Sequence, residues 1–312
     1  MRRIFGIGET VYDILLRGGQ PVAASAGGSV FNSLISLGRV GLDCAFISQI
    51  GDDYIGTVIE QFLHDNGVHN LQLTRLPGTK TALSLAVLDE NNDAHYSFYK
   101  DYGGAILKFE IPQTTVSDIF MYGSYYAINP HIRSAVKPLL EHASASGAVI
   151  YYDLNYRSNH AHECQTLAPS ILENYNLSTI VRGSEDDFNV LYQGISSENI
   201  YKDIIQPAGC RTFIVTHGSK SVELFTPSKH ITVPVPKVET VSTIGAGDNF
   251  NAGLVTALIK KEISADAIKA DAVSEDLWRS VLETGAEFGS EACRSTQNYV
   301  SREFAQRYTQ SL

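Results

Sequence analysis

Long apolar runs are missing from this chain of 312 residues. No stretch approaches the roughly 20 residues that a membrane-spanning helix needs, so no membrane partner is expected. The opening Met1-Arg2-Arg3-Ile4-Phe5-Gly6 carries only a brief apolar run before Glu9 and Asp13, too short for the core of a secretory signal. Cysteine is scarce: Cys44, Cys164, Cys210 and Cys293 are scattered, and no two stand at a metal-ligand or redox spacing. Four reduced, mostly buried thiols in a cytoplasmic protein are therefore expected. Positive charge is short as well, with 24 Lys and Arg against 34 Asp and Glu, a net charge of −10. Such a surface repels a phosphate backbone and argues against nucleic acid as a partner, while leaving room for one small anion in a local pocket.

Repeats, low-complexity tracts and Pro/Gly-rich linkers are absent too, which favours a single domain over residues 1–312. At 44% apolar and 19% charged residues, the composition is that of an ordinary globular chain. What is present is an alternation of strands and helices. Residues 3–8 read as a short apolar strand, and Val30, Phe31, Leu34, Ile35 and Leu37 recur at helical spacing after Ser29. Cys44 to Ile50 reads as a buried strand, followed by a second amphipathic helix through Ile55, Val58, Ile59, Phe62 and Leu63. The compact apolar runs 148–152, 179–181 and 212–215 continue the pattern. It predicts an α/β fold with a mostly parallel sheet, helices on its faces and ligands at the carboxyl ends of its strands. One stretch breaks the rhythm. Thr81–Leu88 and Ala94–Lys100 flank the turn-forming Asp89-Glu90-Asn91-Asn92-Asp93, which reads as a β-hairpin inserted into the body.

The most informative segment is Thr243-Ile244-Gly245-Ala246-Gly247-Asp248-Asn249-Phe250-Asn251-Ala252-Gly253. Phe250, Leu254, Ala257 and Leu258 form a helical stripe after it, so Gly245 and Gly247 stand where a loop becomes a helix. Glycines there let backbone N–H groups crowd around a ligand, and the helix N-terminus adds partial positive charge, a site for a phosphate. Asp248 in the first turn reads either as a helix cap or as a base that takes a proton from an attacking hydroxyl. Two further segments set glycines before helices: Gly27-Gly28-Ser29-Val30-Phe31-Asn32 and Gly51-Asp52-Asp53-Tyr54-Ile55-Gly56.

In this order, and over nearly the whole chain, the three segments resemble the two signatures of the ribokinase-type (PfkB) family of carbohydrate and nucleoside kinases. That resemblance implies an αβα sandwich with a mostly parallel central sheet and a small β lid at about residues 81–104, with 12–20 as a candidate second part. It implies ATP and Mg²⁺ as cofactors and a small-molecule sugar as substrate. Asp248 would act as general base, and the amides from Gly245 through Ala246 and Gly247 to Asp248 would form an anion hole. Asp13, Gly28, Asn32 and Asp248 would bind sugar hydroxyls, although Asn32 alone would read as a polar helix-surface residue. Asp153-Leu154-Asn155-Tyr156-Arg157 looks like a segment familiar in fructokinase-like members, with Arg157 reaching the transferring phosphoryl group or a sugar hydroxyl.

Ser184-Glu185-Asp186-Asp187 occupies the family's Asn-Xaa-Xaa-Glu position, where Glu185 and Asp187 would organise water-bound Mg²⁺ and Ser184 would face the nucleotide. As bare residues they are acids opening a helix, and both readings can hold together. Thr216-His217-Gly218-Ser219-Lys220-Ser221 resembles the nucleotide loop, with Thr216 and Gly218, like Gly245 and Gly247, lining the ATP; adenine would lie near a helix at 282–290. Ser242 stands where many members have Asp, and Arg294-Ser295-Thr296-Gln297-Asn298 lacks the usual glycine turn. The resemblance therefore does not carry a monovalent cation over to this chain.

The expectation is thus an ATP-dependent kinase of fructose or a related ketose, with ribose, another hexose or a nucleoside as alternative acceptors. The rival from another class is a non-catalytic sugar-binding regulator, which Ser221 and Ser242 favour and an intact Asp248 opposes. Lid-to-lid dimers occur in the family, so a homodimer through the lid stays open. His160 and His162 beside Glu163 read as solvated residues rather than a zinc site, lacking a full ligand set. Gly6-Ile7-Gly8 lacks the third glycine of a dinucleotide fingerprint.

Overall fold

Burial with a period of two organises the molecule into layers. A computed structural model of the chain describes residues 2–88, 94–100 and 109–309. The first half contains β1 (Ile4–Ile7), β2 (Val11–Arg17), β3 (Gln20–Gly27), α1 (Ser29–Val40), β4 (Cys44–Gly51), α2 (Tyr54–Asp65), β5 (Asn70–Leu76), β6 (Leu83–Leu88), β7 (Ala94–Tyr99) and β8 (Ile119–Gly123). There follow α3 (Arg133–Ala145), β9 (Val149–Asp153), α4 (Cys164–Leu177), β10 (Ile180–Ser184), α5 (Glu185–Leu191), α6 (Ser197–Ile200), β11 (Phe213–His217), β12 (Ser221–Phe225) and β13 (His230–Pro234). The chain ends in α7 (Ala246–Lys260), α8 (Ala265–Lys269), α9 (Glu275–Ala292) and α10 (Arg302–Thr309).

Nine strands form one sheet in the order β13-β12-β11-β10-β9-β8-β1-β4-β5. All its pairs from β11 to β5 are parallel, and only the β11–β12 and β12–β13 pairs are antiparallel. Strands β1, β4, β8 and β9 are buried along their whole length, as a parallel sheet covered on both faces must be. Alternate residues feed opposite layers. Ile119, Met121, Val149 and Tyr151 pack with α1, α7, α9 and α10, while Phe120, Tyr122, Ile150 and Tyr152 pack with α3 and α4. The αβα sandwich is therefore present. At Gly6 and Gly8 an added Cβ would lie 2.5 Å from Leu34 and 2.8 Å from Val30, so these glycines let α1 settle closely on β1.

The second sheet has the order β3-β2-β6-β7 and forms the lid. The expected hairpin is its β6–β7 half, antiparallel from Leu83 opposite Tyr99 to Leu88 opposite Ala94. Its turn at 89–93, and the expected lid residues 101–104, lie outside the described residues. The lid is larger than a hairpin insert. β6 also pairs in parallel with β2, and β2 pairs antiparallel with β3, so 11–27 supplies half of the lid. The Gly51–Gly56 turn roots it. Asp53 caps α2 by accepting from Gly56 N (2.9 Å), and it also accepts from Thr81 Oγ1 (2.6 Å) and Thr81 N (3.0 Å), where the chain enters β6.

Candidate active site

Gly245 caps α7 in the left-handed conformation (φ 79°), and a Cβ there would come within 2.8 Å of the Asn298 carbonyl oxygen. Both constraints call for glycine. The Asn249 amide fixes the loop by donating to Gly245 O (2.7 Å) and Asn298 O (2.9 Å). Ala246 and Gly247 open the helix, where N–H groups lack intrahelical acceptors and the helix dipole is positive.

Asp248, the third residue of α7, faces the start of α1. Its Oδ1 accepts from Ser29 Oγ (2.7 Å), its Oδ2 from Asn32 Nδ2 (2.8 Å), and its backbone carbonyl from Ser33 Oγ (2.8 Å). Each carboxylate oxygen keeps acceptor capacity beyond that one bond. Burial pushes the Asp248 carboxyl up to about 6, with nearby Asp153 adding to the rise and Asn32, Ser29 and Arg157 opposing it. Asn32 is itself buried, and its Oδ1 has no partner among the described residues. Gly28, at φ 133°, has no room for a Cβ, which would lie 2.3 Å from Glu9 O. Asp13 lies beside this segment, since a Cβ on Gly27 would sit 2.4 Å from its Oδ2. Burial pushes the Asp13 carboxyl up to about 6 as well.

A cavity of about 140 Å³ opens next to these groups at the carboxyl ends of β1, β8 and β9. Its wall includes Glu9, Gly28, Ser29, Ser124, Tyr125 and Asn155, and Phe98 from the lid. Asp13, Asn32 and Asp248 do not line it themselves, and Ser29 joins Asp248 to it. Glu9 also pairs with Lys100 at the end of β7 (2.6 Å), a link between the cavity and the lid. Tyr125 is braced from outside by His160, stacked at 4.0 Å, and His160 Nδ1 lies 2.9 Å from Glu163. The histidines at 160–162 thus include one with a packing role.

Beneath the glycine loop lies a charged group that sequence reasoning missed. Arg182 is buried in β10, donating from Nη1 to Asp153 Oδ1 (2.9 Å) and from Nη2 to Thr216 Oγ1 (2.7 Å). Asn251 Nδ2 donates to the other Asp153 oxygen (2.7 Å), and Tyr151 OH donates to Asn251 Oδ1 (2.7 Å). The guanidinium lies against Gly247, where a Cβ would be 3.1 Å from Nη1. One buried network thus ties β9, β10 and β11 to α7. Its signal was an arginine inside the apolar strand Ile180-Val181-Arg182. Ser29, Ser124 and Tyr125 carried no comparable mark.

The nucleotide-side candidates lie at the carboxyl ends of β10 and β11, apart from Asp248. Ser184 and Asp187 form a capping box: Asp187 Oδ2 accepts from Ser184 N (2.7 Å) and Oγ (2.8 Å), and Asp187 N donates to Ser184 Oγ (3.2 Å). Asp187 is buried, which raises its carboxyl pKa, whereas Glu185 is half-exposed with His217 Nδ1 at 3.4 Å. Gly218, at φ 55°, turns β11 into β12 and is exposed. Arg157 is exposed beyond β9 and close enough to Asp248 to act on its charge. Among the described residues, no group of three or more His, Cys, Asp and Glu could hold a metal directly. Nor is any described helix long and apolar enough to cross a membrane.

Residues 1–274 match the model of a family described as pfkB family carbohydrate kinase. A probable chloroplastic fructokinase-6 of Arabidopsis thaliana is 27% identical over 238 residues, covering 74% of this chain and 62% of that protein. Aminoimidazole riboside kinase of Salmonella typhimurium is 26% identical over 278 residues, 88% of this chain and 86% of that one. Fructokinase from Vibrio cholerae O395, solved in its fructose, ADP and calcium ion bound form, superposes with a TM-score of 0.82 at 21% identity, covering 99% of each chain.

Proposed function

The chain belongs to the pfkB family of carbohydrate kinases, phosphotransferases with a sugar hydroxyl as acceptor, and within it we propose an ATP-dependent kinase of fructose or a related ketose. The observation that carries this reading is the Asp248 carboxyl, joined through Ser29 to a small cavity under the lid and set one turn into α7 behind Gly245 and Gly247. In this reading the sugar's hydroxyl displaces or accompanies Ser29 as a donor to Asp248, which takes its proton. A carboxyl titrating near 6 is mostly ionised at neutral pH yet basic enough for that transfer. Amides of the Gly245–Asp248 turn face the transferring phosphoryl group, with Ala246 N also donating to Thr243 O (3.3 Å), and exposed Arg157 adds positive charge near Asp248. Asp13, Gly28 and Asn32 orient the sugar. Ser184, Thr216 and Gly218 line the nucleotide.

Mg²⁺ fits the donors at the end of β10, where oxygen ligands suit a hard cation that keeps most of its water. Glu185 offers a half-exposed carboxylate, and Asp187 has committed one oxygen to the capping box. The ion would be held by these groups through water and by the nucleotide's own phosphates, neutralising charge on the departing diphosphate. A second acceptor class, a ribosylated base, is supported by the relative that phosphorylates aminoimidazole riboside. Exposed Val22 and Tyr99 on the lid sheet support a homodimer through that surface. Incubating the protein with ATP, Mg²⁺ and a panel of ketoses, aldoses and nucleosides, and following ADP, tests the reading. Fructose should give the highest kcat/KM. Sugar binding without ADP from any acceptor would replace the kinase with a sugar-binding regulator.

A further inference from the structure

Two residues of the cavity wall hold backbone conformations that side chains other than glycine's rarely adopt. Ser124, immediately after β8, has φ 55° and ψ −170°, and Asn155, two residues after β9, has φ 37°. They sit at the carboxyl ends of neighbouring parallel strands, whose last residues Gly123 and Asp153 are in register. Ser124 N donates to Asp153 O (3.0 Å), and Asn155 Nδ2 donates to Ser124 Oγ (2.7 Å). Both residues line the cavity. Glycine would relieve the Ser124 backbone most, since asparagine visits positive φ more readily than serine does, and strain of this kind persists where the surrounding structure imposes it, most often at ligand sites.

We propose that Ser124 and Asn155 are a sugar-selecting pair, held in these conformations so that their linked side chains read one hydroxyl of the acceptor. The proposal deepens the kinase reading and rests on it. A serine oxygen that accepts from Asn155 still has its own O–H to donate, and the amide still has Oδ1 to accept. A donor and an acceptor fixed side by side match a sugar hydroxyl, which does both. They match a deoxy carbon at the same place poorly, because these partly buried polar groups would then go unpaired beneath the sugar. The pair follows β8 and β9, whereas Asp248 is reached through Ser29 of α1, so its contribution is to sugar binding rather than to proton transfer.

Ser124→Gly and Asn155→Gly separate this role from a structural one. Both changes remove a cavity contact while relaxing the backbone. For Ser124→Gly, KM for fructose should rise about 3–10-fold with kcat within about twofold, as loss of one hydrogen bond made equally in ground and transition states requires. Its Tm should stay level or rise by about 1–3 °C. Among monodeoxy-fructoses, the analogue that lacks the selected hydroxyl should bind wild type weakly and lose nothing further in the variant. A fall in Tm of several degrees together with higher KM would make the pair a structural element and overturn the proposal. Unchanged fructose affinity in both variants would overturn it as well. Calorimetric titration of the wild type with fructose, then aminoimidazole riboside, keeps the two levels apart. Binding without phosphorylation defeats the kinase reading, with the pair still judged on affinity, and binding of neither ligand defeats both.

Discussion

Two helices of this protein carry an aspartate at the same position, third in the helix, and use it for different ends. In α5 the residue before the helix is Ser184, and its hydroxyl and backbone N–H close a capping box with Asp187. In α7 that place belongs to Gly245, which has no side chain to offer, and Asp248 turns to Ser29 and Asn32 of another helix. Burial raises the pKa of both carboxyls. One is satisfied locally and stabilises its own helix. The other is held by a distant element beside a cavity and keeps capacity for a further donor. The residue before the helix decides whether the acid at its start caps that helix or bonds to another element.

The sharpest way to break that contrast is at Arg182, which lies under the α7 turn and pairs with Asp153 in the interior. Arg182→Met leaves Asp153 buried without its counter-charge, and should cost about 3–5 kcal/mol in denaturant unfolding. Arg182→Met with Asp153→Asn should recover most of it. Gly245→Ala is next. It forces a Cβ into the Asn298 carbonyl and into a left-handed φ, and steady-state kinetics should show kcat lower by about 10²–10³-fold, the loss typical of a disrupted anion hole. At α5, Glu185→Gln should raise the Mg²⁺ concentration needed for half-maximal rate by about tenfold, in proportion to a water-mediated ligand. An unchanged Mg²⁺ requirement would assign Glu185 to its His217 contact alone. The smallest effect belongs to Ser184→Ala, which removes half of the capping box. It should cost about 1 kcal/mol in stability and leave the sugar KM unchanged.

The elements that periodicity reveals were legible in advance: the helix after Ser29, the strand from Cys44, the hairpin strands at 83–88 and 94–99. Their signals are local, each a run of apolar residues with one spacing. The strand β3 was not, because Pro21, Ala23, Ala24 and Ser25 have little intrinsic preference for extended structure. It is a strand because β2 pairs with it, a contact between chain segments that no local pattern encodes. Much the same divides the site. Gly245, Gly247 and Asp248 declare themselves by crowding glycine and acid at a helix start. Arg182 becomes meaningful only when β9, β10 and β11 lie side by side and bring Asp153 and Thr216 to it. Ser124 is an ordinary polar residue until its φ value is known, and Asn155 is marked in the sequence only by its place in the Asp153–Arg157 segment.

With Asp248 as the proposed base, its charge would link activity to pH. Its folded pKa near 6 lies above the ordinary aspartate value, so the native state holds the proton more tightly than the unfolded chain. The stability this adds is present at low pH and is lost as pH rises through 6, while the proposed base would gain activity over the same interval. The most direct measurement is therefore the pH profile of kcat/KM for fructose in wild type and in Asp248→Asn, with fructose affinity measured alongside by calorimetry. Wild type should lose activity below an apparent pKa near 6. The variant should bind fructose normally, turn over about 10²–10⁴-fold more slowly and lack that acid limb. Near-normal turnover in the variant, or the same acid limb in both proteins, would contradict Asp248 as the base.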